Sequence, residues 1–182
     1  LGIGYQTLLS NTTGSDNVAI GFTSMFNNTT GSRNTALGNS TLRSNTTGVN
    51  NVAIGNNTLY SNTSGQENTA VGYTALNSNT TGSQNVALGH AALYNNTSGT
   101  TNVAVGDNAL YYNTTGSFNM AMGRRSLFSN TTGAQNVALG HNALYKNTTG
   151  DSNTGVGTSS LYNNTTGTLN SAFGDSALQS NT

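Results

Sequence analysis

The side chains able to carry acid, base or metal chemistry are few, and their spacing holds them apart. The chain has two histidines, His90 and His141, five carboxylates (Asp16, Glu67, Asp107, Asp151 and Asp175) and no cysteine. General acid–base catalysis needs titratable groups within hydrogen-bond reach of one substrate, and a metal needs several converging ligands. Here the carboxylates fall in different seventeen-residue units, mostly several units apart, and each histidine stands alone at a variable position. There is no acidic calcium-ligand run of the G-G-x-G-x-D kind. Without cysteine, neither disulfides nor thiolate metal sites can form. The sequence therefore predicts a protein that is not an enzyme and has no catalytic residue, metal site or cofactor.

Amides, hydroxyls and aromatic rings are the groups that recur. Asparagine occurs 31 times. One asparagine row opens N-T-T or N-T-S: Asn11, Asn28, Asn45, Asn62, Asn79, Asn96, Asn113, Asn130, Asn147 and Asn164. Each matches an N-glycosylation acceptor, and each equally suits an asparagine–threonine–glycine turn. A second row is Asn17, Asn34, Asn51, Asn68, Asn85, Asn102, Asn119, Asn136, Asn153 and Asn170. At a stacking interval of ~4.8 Å such amides can bond from one unit to the next, so an asparagine ladder is expected here. An aromatic row runs through Phe26, Tyr60, Tyr94, Tyr111, Phe128, Tyr145 and Tyr162, broken by Arg43, Asn77 and Gln179. It suits a stacking ladder, a packing face between chains or a platform for surface glycans. The adjacent threonines of N-T-T raise an ice-binding reading, but neighbours on an extended strand face opposite ways, so only one row can point outward.

All these rows share one period. Glycine opens a G-x-x-N every seventeen residues from Gly14 to Gly167, and a second glycine row runs from Gly4 to Gly174. Residues 1–182 thus read as a single uninterrupted array of seventeen-residue repeats with partial repeats at both ends, the signature of a stacked architecture. Counting from the opening glycine as position 1, positions 4 to 8 read N-[VT]-A-[ILV]-G, as in Asn51–Gly55, and positions 11 to 13 read [AST]-L-[YF], as in Ala109–Tyr111. Both runs look like short strands and both glycine rows like turns. No 3.6-residue apolar stripe is long enough for a helix. The expected fold is all-β: a parallel β-solenoid or β-roll of about eleven stacked coils with two short strands per coil. Alanine at position 6 forms a flat row of small residues, and copies of the chain are expected to pack laterally along it.

Charge narrows the partners. Lysine plus arginine and aspartate plus glutamate number five each, giving a net charge of zero, so the chain lacks the basic footprint of a nucleic-acid binder. No segment has the ~20 apolar residues of a membrane-spanning helix, so membrane insertion is not expected of this segment. The run N-V-A-I-G at Asn17–Gly21 and Asn51–Gly55 resembles the head repeat of trimeric autotransporter adhesins of the YadA type, and the longer unit is similar to repeats of tail-fibre-like surface proteins. That resemblance implies a left-handed parallel β-roll, a homotrimer, and display outside the cell as an adhesive or spacer fibre. The unit here is longer than that of the adhesin head. The functional expectation is an extracellular, cell-surface fibre or adhesin segment that associates with itself laterally and polymerises end to end, since few charges and no proline guard its edges. The alternatives are a glycan-binding or ice-binding solenoid and a functional amyloid-like fibre.

Overall fold

The three residues at positions 5 to 7 of each unit, such as Val-Ala-Ile or Thr-Ala-Val, are mostly β-branched or apolar around a small central residue and form a strand wherever they occur. The computed structural model, which describes residues 1–182, has eleven of them: β1 (Gly2–Ile3), β2 (Val18–Ile20), then one per repeat to β11 (Ser171–Phe173). They pair in parallel and in sequence order as one eleven-stranded sheet. The register is seventeen throughout, as in Val52 opposite Thr69, Ala53 opposite Ala70 and Ile54 opposite Val71. The protein is a parallel β-solenoid with no helix.

Each coil holds one strand, where the sequence pattern suggests two. The [AST]-L-[YF] run folds as turns because positions 10 and 12 take left-handed backbone, φ 53° at Asn57 and 50° at Leu59, for example. A left-handed residue with a Cβ costs about 1–2 kcal/mol. At position 12 that cost is offset by burial: Leu42, Leu59, Leu76, Leu93, Leu110, Leu127, Leu144 and Leu161 are completely enclosed, and enclosing a leucine stabilises by about 1.5–3 kcal/mol. The turns keep the hydrogen bonding between coils. Met25 N donates to Thr41 O and Asn27 N to Arg43 O, both at 2.9 Å, while Thr23 N donates back to Tyr5 O at 2.9 Å. Of 120 backbone hydrogen bonds only 19 lie within the strands, so the turns carry most of the stacking.

The core also reverses an expectation. Alanine at position 6 faces inward and is fully buried from Ala19 to Ala138, packed with the leucine row in one continuous cluster. Positions 5 and 7 face outward, half-buried or exposed. The reason is width. An ideal Cβ on Gly155, which replaces alanine in one coil, would lie 3.4 Å from Leu144 Cγ and 3.0 Å from Ser160 Oγ. That gap admits a methyl group and nothing larger. The alanine row therefore cannot be the contact between copies.

The glycine rows serve close approach. At Gly106, with φ +131°, a Cβ would sit 2.8 Å from the backbone carbonyl of Gly123 in the next coil. Side chains there would push the coils apart, since non-bonded carbon and oxygen need well over 3 Å.

Candidate functional surfaces

Both asparagine rows lie inside the solenoid, and away from the first and last coils each amide is saturated. Asn51 Nδ2 donates to Asn34 Oδ1 at 3.1 Å and to Gly65 O at 2.9 Å. Asn51 Oδ1 in turn accepts from both the backbone N (3.0 Å) and Nδ2 (3.1 Å) of Asn68. In the other row Asn62 Nδ2 donates to Asn45 Oδ1 at 2.8 Å and to Gly65 O at 3.1 Å, while Asn62 Oδ1 accepts from Asn79 Nδ2 at 2.8 Å. The two rows thus meet on the carbonyl of the position-1 glycine, and a Cβ on that glycine would collide with the amide oxygen of Asn62. A buried amide is tolerated when its donors and acceptors are matched, and here the match repeats coil after coil.

This burial bears on glycosylation. Asn28, Asn45, Asn62, Asn79, Asn96, Asn113, Asn130, Asn147 and Asn164 are fully enclosed, and from Asn28 to Asn147 both amide hydrogens are already donated. A glycan on Nδ2 would replace one of those hydrogens and needs space that the coil interior lacks. Asn11, in the first coil, is half-buried and donates only to Gly14 O at 3.0 Å. The stacked fold and sugar at the enclosed positions are thus mutually exclusive. The following threonine joins the ladder through its hydroxyl, as Thr63 Oγ1 does to Thr80 O at 3.0 Å. The next hydroxyl residue, from Thr13 through Thr47 and Thr81 to Thr149, points out to solvent as a single row.

The aromatic row is a half-buried stack along the solenoid. Tyr94, Tyr111, Phe128, Tyr145 and Tyr162 follow one another with ring centroids 5.2, 5.5, 5.1 and 5.0 Å apart. Tyr112 closes edge-on against Tyr111 and Phe128. Burial, with Tyr94 and Tyr112 close by, raises the pKa of Tyr111 above the usual tyrosine value. Further up, the Arg43 guanidinium sits between the rings of Phe26 and Tyr60, 5.2 and 5.7 Å from their centroids. Such stacks contribute about 0.5–1.5 kcal/mol per pair beyond area burial. Between Tyr94 and Tyr162 the facing ring surfaces are thereby consumed, and what meets solvent along that run is mostly ring edges.

Sequence reasoning overlooked one cluster. His90, Asp107 and Arg124 occupy position 9 of three consecutive coils, so the period that separates them along the chain brings them together in space. His90 Nδ1 donates to Asp107 Oδ1 at 2.9 Å, and Arg124 Nε reaches Asp107 Oδ2 at 3.4 Å. The hydrogen bond from His90 holds the Asp107 carboxyl below the usual carboxylate range, with Asn108 and Arg124 adding to the effect. Tyr73 stacks on the other side of His90, centroids 5.7 Å apart. The signal was the shared position and the seventeen-residue interval. The three are exposed, line no enclosed cavity, and no group of three or more histidine or acidic side chains gathers as a metal site.

The remaining surface of note is the outer face of the sheet. Position 7 presents Ile20, Ile54, Leu88 and Met122 as exposed apolar side chains in one strip, flanked by the mostly β-branched residues of position 5. No charged residue interrupts either row. Fold and surfaces together define a parallel β-solenoid with an amide-bonded interior, an aromatic edge and an aliphatic sheet face. The chain matches no family model, no curated protein and no solved structure.

Proposed function

We propose that the protein is a structural rod, a segment of an extracellular fibre or adhesin, that associates laterally with copies of itself through the outer sheet face. The observation that carries this reading is that strip of uncharged aliphatic side chains, repeating at every strand of an eleven-stranded sheet. At ~4.8 Å per strand and ~10 Å of strand width, the strip covers roughly 500 Å² per copy, or about 1,000 Å² for a pair. That reaches the lower bound for a specific interface. A second copy offers the one surface with the same rise and the same lack of charge, so its side chains fall into register along the whole length. One such strip per rod favours a pair over the trimer that the adhesin resemblance implies. Stacking end to end has a separate basis. Every coil offers identical donors and acceptors to its neighbours, so a coil of one copy is a competent neighbour for a coil of another, as in a cross-β fibre. Display at the cell surface rests on the resemblance to adhesin and tail-fibre repeats.

Sedimentation equilibrium tests the lateral contact. The chain is expected to run at twice its 18.6 kDa mass, and the double substitution Ile54→Lys with Leu88→Lys to run as a monomer with unchanged circular dichroism. A wild-type monomer at tens of micromolar would overturn the reading. Electron microscopy then separates discrete rods from filaments.

A further inference from the structure

The aromatic row is interrupted at Asn77, and the interruption is shaped. Tyr60 has one ring face covered by the Arg43 guanidinium, whose Nη1 also donates to the Tyr60 hydroxyl at 3.3 Å. Tyr94 has one face covered by Tyr111 at 5.2 Å. Their other faces look toward the coil of Asn77, two coil rises apart, or about 10 Å. Asn77 does not fill that space. Its side chain turns aside, and Nδ2 donates to the carbonyl of Asn57 at 2.8 Å. The result is a slot of about 420 Å³ lined by Tyr60, Tyr94, Asn77, Asn57, Tyr73 and Thr74. It opens into a second concavity of about 410 Å³ past His90 and Asn108, with Tyr73, Thr74 and Tyr94 common to both.

We infer that this slot is a binding site for one neutral pyranose ring of a glycan, inserted between the faces of Tyr60 and Tyr94. The spacing leaves about 5 Å on each side of an inserted ring, the interval at which this row already stacks. Arg43, held between Phe26 and Tyr60 two coils above, shows that the row accepts a flat guest of that thickness. The slot has no ionisable group other than tyrosine phenols, so it offers no countercharge to an anion. A cation would be drawn to the two ring faces, as the Arg43 guanidinium is, but would leave the hydroxyl and amide groups around the slot with fewer partners than a polyol does. Asn57, Thr74 and Asn77 bring amide and hydroxyl groups to its lining. A pyranose has apolar C–H faces for the two rings and an equatorial edge of hydroxyls for those groups, whereas a purely aromatic guest would leave them unmatched. From Tyr94 to Tyr162 successive rings stack on one another, and Arg43 fills the interval between Phe26 and Tyr60, so an open interval between two facing rings occurs once along the row.

Ligand-observed saturation-transfer NMR with methyl β-glucopyranoside, methyl β-galactopyranoside, N-acetylglucosamine and phenol tests the assignment. At least one pyranoside is expected to bind the wild-type chain and to perturb tyrosine fluorescence. Asn77→Tyr, which restores the ring that neighbouring coils carry, is expected to abolish binding with unchanged circular dichroism, and Asn77→Phe serves if the tyrosine variant misfolds. Tyr94→Ala is expected to weaken binding about tenfold. The assignment fails if no pyranoside binds, if phenol binds in their place, or if Asn77→Tyr binds as the wild type does. None of these outcomes bears on lateral pairing through the sheet face.

Discussion

The two corners of the coil stack the same period by opposite means. At the corner between positions 15 and 4, asparagine amides of the inner coils are enclosed, both hydrogens of each are donated, and the residue identity does not change from coil to coil. At positions 9 and 13, aromatic, basic, acidic and amide side chains alternate on the outside, and each neighbouring pair finds its own contact: ring on ring, guanidinium on ring, imidazole on carboxylate. The difference follows from solvent. A buried amide that loses its partner has no water to turn to, while a half-exposed ring that loses its partner gains hydration. Uniformity is thus enforced where water is absent, and variation collects where water is present. Any recognition that distinguishes one coil from another must be built on the second corner.

The largest expected effect lies in the amide corner. Asn79→Ala removes two donated bonds, to Asn62 Oδ1 and Gly82 O, and one accepted from Asn96 Nδ2. Asn62 Oδ1 is left without a partner and Asn96 Nδ2 with one of its two, while Gly82 O keeps the bond from Asn68 Nδ2. A buried group left unpaired costs about 1–3 kcal/mol, and the space left by the amide adds to it. A local loss on the order of 3 kcal/mol or more is expected, read by native-state hydrogen exchange of the amides in the coils around position 79. Tyr145→Ala, in the middle of the stack between Phe128 and Tyr162, is the matched test at the other corner. Its expected cost is about 1–2 kcal/mol, because the neighbouring faces are rehydrated and no polar group is orphaned. If the tyrosine substitution costs as much as the asparagine one, the contrast between the corners is wrong.

What could be read from the sequence follows the same division. The period, the glycine rows, the strand at N-[VT]-A-[ILV]-G and the parallel stacked architecture are repeated so often that no single coil had to be interpreted alone. Inside and outside were not legible. Ile54 and Leu88 are larger and more apolar than Ala53 and Ala87, so transfer energy alone would bury them; the narrow gap across to the leucine row decides otherwise, and a gap is a property of the closed coil. Nor was the single strand legible. Leu59, Ala91 and Thr74 carry no chemical sign of left-handed backbone, and adopt it because the coil must close while still reaching its neighbours. The Asn77 slot and the pairing of His90, Asp107 and Arg124 were accessible in principle. Both follow from laying the repeats over one another and reading down a position, not along the chain.

The smallest effect expected is that of the one ionic cluster, and pH gives its sign. The His90 hydrogen bond lowers the Asp107 pKa below the ordinary aspartate value near 3.9. A carboxyl with a depressed folded-state pKa contributes stability in full above its unfolded value and loses it as pH falls through the folded one. The contribution of Asp107 is therefore intact at pH 6 and disappears below about pH 4. With the Asp107 and Arg124 side chains 41% and 54% exposed, solvent screens most of it. Thermal melts of the wild type and of Asp107→Asn should differ by about 1–2 °C at pH 6, converge at pH 2.5, and lose the difference in 0.5 M salt. The unpaired outer corner would then still hold its coils through the backbone ladder beneath, where Asn108 N donates to His90 O at 2.9 Å and Arg125 N to Asp107 O at 3.0 Å. A pH-dependent loss comparable to that of Asn79→Ala would mean that the variable corner also carries the stack, and that its freedom to vary has some other cause.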